Sequence, residues 1–88
     1  MKTVLAYKAA LTKSFVREFK RLPDDVRARA LRAIDEIVTN PFLGVRLRGK
    51  LEGRWRWRVG KFRIIYMVDQ SAQLVVFLDA GPRKTIYE

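Results

Sequence analysis

Apolar residues in the first part of the chain recur at helical spacing after a short β-prone run. The run TVLAY, Thr3 to Tyr7, predicts a first strand. From about Ala9 onward the apolar positions lie four, four and three residues apart, and they are Leu11, Phe15, Phe19 and Leu22. This spacing places them on one face of a first helix, which we expect to end at Pro23.

A second helix is predicted to begin directly after Pro23. Asp24 and Asp25 fall in its first turn, where the helix dipole favours acidic side chains. Its apolar stripe consists of Val26, Ala30, Ile34, Ile37 and Val38. The residue before a proline disfavours helical geometry, so TNP (Thr39 to Pro41) ends this helix. The two helices are expected to form a helical hairpin.

The second half of the chain changes to β-like runs. The segment VRLRGKLEGR is predicted to be loop with a short strand. Three strands are predicted after it, at about Arg54 to Val59, Phe62 to Val68 and Leu74 to Ala80. The run LVVFLDA is nearly all apolar, which predicts a strand buried on both faces at the centre of the sheet. The element order is therefore β-α-α-β-β-β, in one domain covering residues 1–88.

The first two of these strands are predicted to form a hairpin around Gly60-Lys61. Glycine in the first position of a two-residue loop favours a type II′ turn. Pairing outward from this turn and alternating the faces gives one apolar face: Trp55, Trp57, Val59, Phe62, Ile64 and Tyr66. The helical stripes can cover this face, so both tryptophans are interpreted as core residues, with base stacking as the lesser alternative.

The opposite face of the hairpin is predicted to carry Arg54, Arg56, Arg58 and Arg63. Like charges directly opposite each other destabilise a sheet, so this cluster favours a role in binding anions. Guanidinium is planar and matches phosphate oxygens with two parallel hydrogen bonds. The alternative is a solvated sheet face, on which the arginine stems shield apolar neighbours. Arg83 is a fifth candidate.

Charge and composition narrow the classes of partner and chemistry. Nineteen Lys and Arg against nine Asp and Glu give a net charge of +10, which favours nucleic acid, an acidic membrane surface or an acidic protein. The absence of Cys and His excludes disulfides, thiolate nucleophiles and imidazole catalysis, and no metal ligands are evident. No signal peptide or membrane-spanning run is recognised, so a cytoplasmic location is expected.

The segments LRGKLEGRWRWRVGKFRIIYMV and GPRKTIY, in this order and spacing, resemble the RelE/ParE toxin superfamily, and in particular its RelE-like branch. The resemblance covers nearly the whole chain. It implies an α+β fold, with a helical hairpin packed on a small, mainly antiparallel sheet. It also implies an endoribonuclease that needs no cofactor and cleaves mRNA in the ribosomal A site, a cognate acidic antitoxin as partner, and no membrane.

The resemblance assigns the catalytic positions to Arg56, Arg58, Arg63, Arg83 and Tyr87. Further cations are expected to bind mRNA or ribosomal RNA: Arg46, Arg48, Lys50, Arg54, Lys61 and Lys84. Fixed cations at Arg63 and Arg83 suit the stabilisation of a reacting phosphate. Tyr87 is expected either to stack on a base or exchange a proton, or else to close the core.

Two features depart from the family pattern. Pro82 stands where relatives often have His or a basic residue, and arginine replaces the lysine that some members use. Arginine is a poor general base because its pKa exceeds about 12; Asp79 is one possible base. Two other functions remain open: a ParE-like inhibitor of DNA gyrase without catalysis, and a non-catalytic RNA-binding module.

Overall fold

The computed structural model describes residues 6–82 and has an α+β architecture. Two helices pack on a five-stranded sheet with the strand order β1-β5-β4-β3-β2. The elements are β1 (Lys8–Leu11), α1 (Lys13–Lys20), α2 (Asp24–Thr39), β2 (Val45–Arg46), β3 (Arg54–Val59), β4 (Phe62–Asp69) and β5 (Leu74–Pro82), with short 3₁₀ turns at Pro41–Leu43 and Gly49–Leu51. Only β1 and β5 pair in parallel. The predicted fold class is confirmed.

Neither helix within this range is long and apolar enough to cross a membrane.

The predicted start of the chain was wrong in its boundaries. The first strand among the described residues is Lys8–Leu11. Ala6 and Tyr7 of the predicted strand Thr3 to Tyr7 are not in a strand, and its residues 3–5 lie outside the described range. Leu11 ends this strand and is 51% exposed, so it does not belong to the helical stripe. The first helix begins after Thr12, whose side chain accepts a hydrogen bond from the Phe15 amide at 3.1 Å. Threonine is a favoured N-cap, and this signal outweighs the apolar spacing that included Leu11.

The second helix follows its prediction. It begins at Asp24 and ends at Thr39, and Val26, Ala30, Ala33 and Ile37 are buried along it. Asn40 terminates the helix, and its side chain accepts a hydrogen bond from Phe42 N at 3.3 Å. This contact turns the chain into the 3₁₀ segment that leads to β2.

The hairpin register was predicted correctly. Val59 pairs with Phe62, Arg58 with Arg63, Trp57 with Ile64, Arg56 with Ile65 and Trp55 with Tyr66. Gly60 has a φ of +62°, and Gln73 is the one described non-glycine residue with positive φ. A positive first residue followed by a negative second one is the sign pattern of the predicted type II′ turn.

The core lies between the helices and the apolar face of the sheet. Phe15 from α1 packs on Phe77 from β5, with ring centroids 5.5 Å apart, and Tyr66 lies 5.9 Å from Phe77 on the other side. Trp55 and Trp57 are half-buried against this cluster, so their interpretation as core residues is confirmed.

The expectation for the last strand was partly wrong. β5 lies between β1 and β4, and β4 holds the centre of the sheet. Val75, Phe77 and Ala80 are buried on one face of β5, whereas Val76 and Leu78 are only half-buried. An apolar run reports burial but not its degree on each face, because half-covered positions also tolerate apolar side chains.

Candidate functional site: a cationic sheet face

Four arginines lie on the sheet face opposite the two helices, and they are here called the arginine face: Arg54, Arg56, Arg58 and Arg63. Arg54 pairs with Met67, Arg56 with Ile65, and Arg58 with Arg63. Because side chains alternate along each strand, these pairings put all four on one side. The predicted grouping is therefore confirmed, including the like-charge pair of Arg58 and Arg63.

The arginine face is not uniformly open to solvent. Arg58 is exposed and Arg54 and Arg56 are half-buried, but Arg63 is only 2% exposed. Arg63 therefore does not extend into solvent from this face. Ile65, its neighbour on the same side of β4, is also buried, at 1% exposure. Arg63 is therefore held within the protein, as suits a fixed cation whose geometry is set before a ligand arrives.

Carboxylates lie beside the buried arginine. Glu18 from α1 and Asp79 from β5 line the same pocket of about 390 Å³ as Arg63, together with Arg21. Burying a charge is costly unless opposite charge or hydrogen bonds compensate it. Glu18 and Asp79 are the two carboxylates that line this pocket with Arg63.

Side chains of α1 and of its N-cap Thr12 hold the last part of β5, where the chain leads to position 83. Glu18 Oε1 accepts a hydrogen bond from the Ala80 amide at 3.0 Å, and Ser14 Oγ donates to Asp79 Oδ1 at 3.4 Å. Thr12 Oγ1 donates to the Phe77 carbonyl at 2.9 Å. These bonds continue the edge pairing of β5 beyond the last residue of β1.

Sequence reasoning missed Glu18 and its role. A signal was present, since Glu18 is the one acid in the α1 sequence KSFVREFK, which otherwise carries Lys13, Arg17 and Lys20. An isolated acid in a basic helix of a basic protein is a candidate for a specific contact. Its partner was not predictable, because the backbone amide of Ala80 belongs to an element 62 residues away.

Within the described range, the other predicted RNA-binding residues do not lie on the arginine face, except for Arg54. Arg46 pairs with Trp55, so it lies on the helix side of the sheet, with its guanidinium 5.8 Å from the Trp55 ring centroid. Arg48, Lys50 and Lys61 are exposed in loops and turns. Arg83, Lys84 and Tyr87 lie outside the described residues.

Tyr66 connects the loop before β2 to the sheet through a hydrogen bond. Its side chain is fully buried, and its hydroxyl donates to the Pro41 carbonyl at 2.8 Å. Burial raises the pKa of Tyr66 to about 12, although a backbone hydrogen bond from Gly44 acts to lower it. The loop thereby lies against β3, next to Arg56.

The raised pKa of Tyr66 predicts a loss of stability in alkali. The folded protein retains the phenol proton that the unfolded chain releases near pH 10, so this contribution is complete below about pH 10 and is lost as pH rises toward 12. The shift from 10.0 to about 12 corresponds to a stabilisation of about 3 kcal/mol. Urea unfolding of wild type and Tyr66→Phe between about pH 8 and 11.5 measures it. The difference in free energy of unfolding between wild type and Tyr66→Phe should shrink as pH rises. A difference that stays constant over this pH range would contradict the raised pKa of Tyr66.

The chain is similar to toxins of known families along most of its length. It matches the model of the family described as the ParE toxin of the type II toxin–antitoxin system, parDE, over residues 9–87. It is 30% identical to Toxin RelE of Mycobacterium tuberculosis over 83 residues, which is 92% of this chain and 86% of that relative.

Solved structures show the same fold. The RelBE2 toxin–antitoxin complex of Mycobacterium tuberculosis superposes with a TM-score of 0.83 at 26% identity, covering 94% of this chain and 98% of that one. The isolated E. coli RelE toxin gives a TM-score of 0.80 at 19% identity, covering 91% and 87%. The chain therefore belongs to the ParE toxin family, within the RelE/ParE superfamily of toxins from type II toxin–antitoxin systems.

Proposed function

We propose that this toxin arrests translation by cleaving mRNA in the ribosomal A site. The observation that carries the proposal is the arginine face, on which Arg58 lies directly opposite Arg63 and Arg56 lies two residues before Arg58. A like-charge pair is unfavourable in a folded sheet, and a bound phosphate relieves it. Similarity to Toxin RelE of Mycobacterium tuberculosis supports the same branch of the superfamily.

The proposed reaction uses the 2′-hydroxyl of the mRNA itself. The 2′-oxygen loses its proton and attacks the adjacent phosphorus, the bond to the 5′-oxygen breaks, and that oxygen takes up a proton. The products are a 2′,3′-cyclic phosphate and a 5′-hydroxyl. Arg63 and Arg83 stabilise the charge that develops on the phosphate, while Arg56 and Arg58 hold the backbone.

Arginine accounts for the proposed dependence on the ribosome. Arg56 and Arg58 are poor bases because guanidinium barely deprotonates, so free RNA should be cleaved slowly. In the proposed scheme the ribosome shapes the mRNA so that the 2′-oxygen is oriented toward the phosphorus, which reduces the work left to the protein. Tyr87 is proposed to stack on a base or to transfer a proton. No metal or other cofactor enters the scheme.

The partner that would restrain this activity is an acidic antitoxin. The RelBE2 relative was solved as a toxin–antitoxin complex. For the present chain, a net charge of +10 favours an acidic segment, which would cover the exposed part of the arginine face. A disordered segment can wrap such a surface and fold as it binds.

The family match keeps one alternative function in view, because its description names ParE. A ParE-like toxin would inhibit DNA gyrase by binding alone. Induction of the toxin in cells, followed by primer extension on abundant mRNAs and a supercoiling assay with purified gyrase, separates the two. We expect discrete mRNA breaks at fixed positions within codons and unimpaired supercoiling. Inhibited gyrase with intact mRNA would replace the proposed function by the alternative.

A further inference from the structure

A second cationic site lies where α2 meets the turn between β3 and β4. A pocket of about 180 Å³ is lined there by Arg29 and Arg32 of α2, by Arg58 at the end of β3 and by Trp57. Arg29 and Arg32 are three residues apart, so they lie on neighbouring positions of one helix face. Three arginines thus border a space that is large enough to hold a phosphate group.

The geometry of the turn holds one of these arginines in place. The guanidinium of Arg29 lies against Gly60, and a Cβ added at Gly60 would approach Arg29 Nη2 to 3.0 Å and Cζ to 3.6 Å. Because Gly60 has no side chain, the guanidinium of Arg29 can occupy this space. Arg29, Arg32 and Arg58 are all exposed, and none of them forms an ion pair with any of residues 6–82. An anion in the pocket would relieve their mutual repulsion.

We propose that this pocket, bordered by Arg29, Arg32 and Arg58, binds the phosphate backbone of an RNA duplex. The proposal rests on the proposed function, since mRNA on the arginine face would leave the α2 side of the hairpin free for a second nucleic acid. On the ribosome that nucleic acid is helical ribosomal RNA, whose backbone is recognised through phosphate and 2′-hydroxyl contacts. Arg58, which borders both sites, would link them.

Glu36 allows a second test, in which a substitution is expected to strengthen binding instead of weakening it. Its side chain lines the same pocket from α2 and is exposed. A carboxylate beside a bound phosphate is repulsive, so Glu36→Gln should strengthen binding of the duplex. Because this change also raises the net charge by one, it is compared with Asp69→Asn, which makes the same change in charge at an exposed residue outside the pocket. Glu36→Gln should strengthen binding more than Asp69→Asn does, and equal gains would count against the pocket.

The test is equilibrium binding of a short fluorescein-labelled RNA duplex, followed by anisotropy at several salt concentrations without ribosomes. The double variant Arg29→Ala/Arg32→Ala is compared with Arg17→Ala/Lys20→Ala, which removes the same charge from the exposed side of α1. We expect the first variant to reduce the slope of log K against log salt by about one to two, since each phosphate that the protein no longer neutralises lowers it by roughly 0.9. The α1 variant should change it by less than half of that amount.

Equal losses in the two double variants would reduce the effect to net charge and overturn the proposal, as would a wild-type protein that does not bind the duplex. Cleavage of ribosome-bound mRNA is scored separately for each protein. Retained, site-dependent duplex binding without any mRNA cleavage would refute the proposed function and leave this pocket as an RNA site.

Discussion

Replacement of Arg63 by Gln is expected to reduce mRNA cleavage on the ribosome by about 10²- to 10³-fold, the cost typical of losing one fixed donor to developing negative charge. The guanidinium of Arg63 is held in a buried position, at 2% exposure, so Gln at this site removes a fixed cation and keeps a polar side chain. Arg83→Ala should have an effect of the same order. The measurement is the rate of mRNA cleavage on purified ribosomes, with growth arrest as the cellular readout.

Burial of Arg63 requires a companion variant, since its replacement also perturbs packing at 2% exposure. Arg58→Ala removes the exposed member of the like-charge pair, so stability should stay constant or rise by up to about 1 kcal/mol. Cleavage by this variant should nevertheless fall. Arg17→Ala, on the surface of α1, is the control and should retain full cleavage. Undiminished cleavage in both the Arg63 and the Arg83 variants would remove the proposed site.

Replacement of Gly44 by Ala is expected to destabilise the fold by about 2–3 kcal/mol, through overpacking in a place that cannot expand. A Cβ at Gly44 would overlap the Tyr66 hydroxyl and lie 2.9 Å from the Arg56 carbonyl oxygen. Neither neighbour can yield easily, because Tyr66 is buried and donates to Pro41 and because Arg56 belongs to a paired strand. Thermal unfolding should shift by roughly 10 °C or more for a domain of this size.

Gly81→Ala is the matched control for Gly44→Ala. Among residues 6–82, a Cβ at Gly81 would meet only Glu18 Oε1, at 3.9 Å, which is an ordinary contact. The backbone there is in a paired strand with no positive φ, so the added methyl group should leave stability unchanged or slightly raised. If Gly44→Ala were as stable as this control, the close contact of the loop with Tyr66 would be refuted.

Local signals carried most of the correct predictions. Pro23 with Asp24 and Asp25 marked the start of α2, and Gly60 fixed the turn from which the hairpin register follows by counting. At both positions the local structure is determined within a few residues, by turn-forming and helix-capping residues and by the alternation of side chains along a strand. The grouping of the arginines on one face follows from the same register.

Non-local contacts account for what the sequence did not predict. Arg63 appeared as one of four equivalent arginines, but its burial depends on its place in the central strand, beside the end of β5. Two further contacts join segments that are distant in the sequence. They are the hydrogen bond from the Ala80 amide to Glu18 and the contact of Arg29 with Gly60. The error at β1 has another cause: an edge strand with mostly exposed residues has little hydrophobic alternation to recognise.

The most direct test of the central claim is to map mRNA ends after incubation of the purified toxin with ribosomes that hold a defined codon in the A site. We expect a break within that codon, 5′-hydroxyl and cyclic-phosphate ends, and no comparable break in the same mRNA without ribosomes. Intact mRNA on such ribosomes, from a toxin that still arrests growth, would contradict this claim.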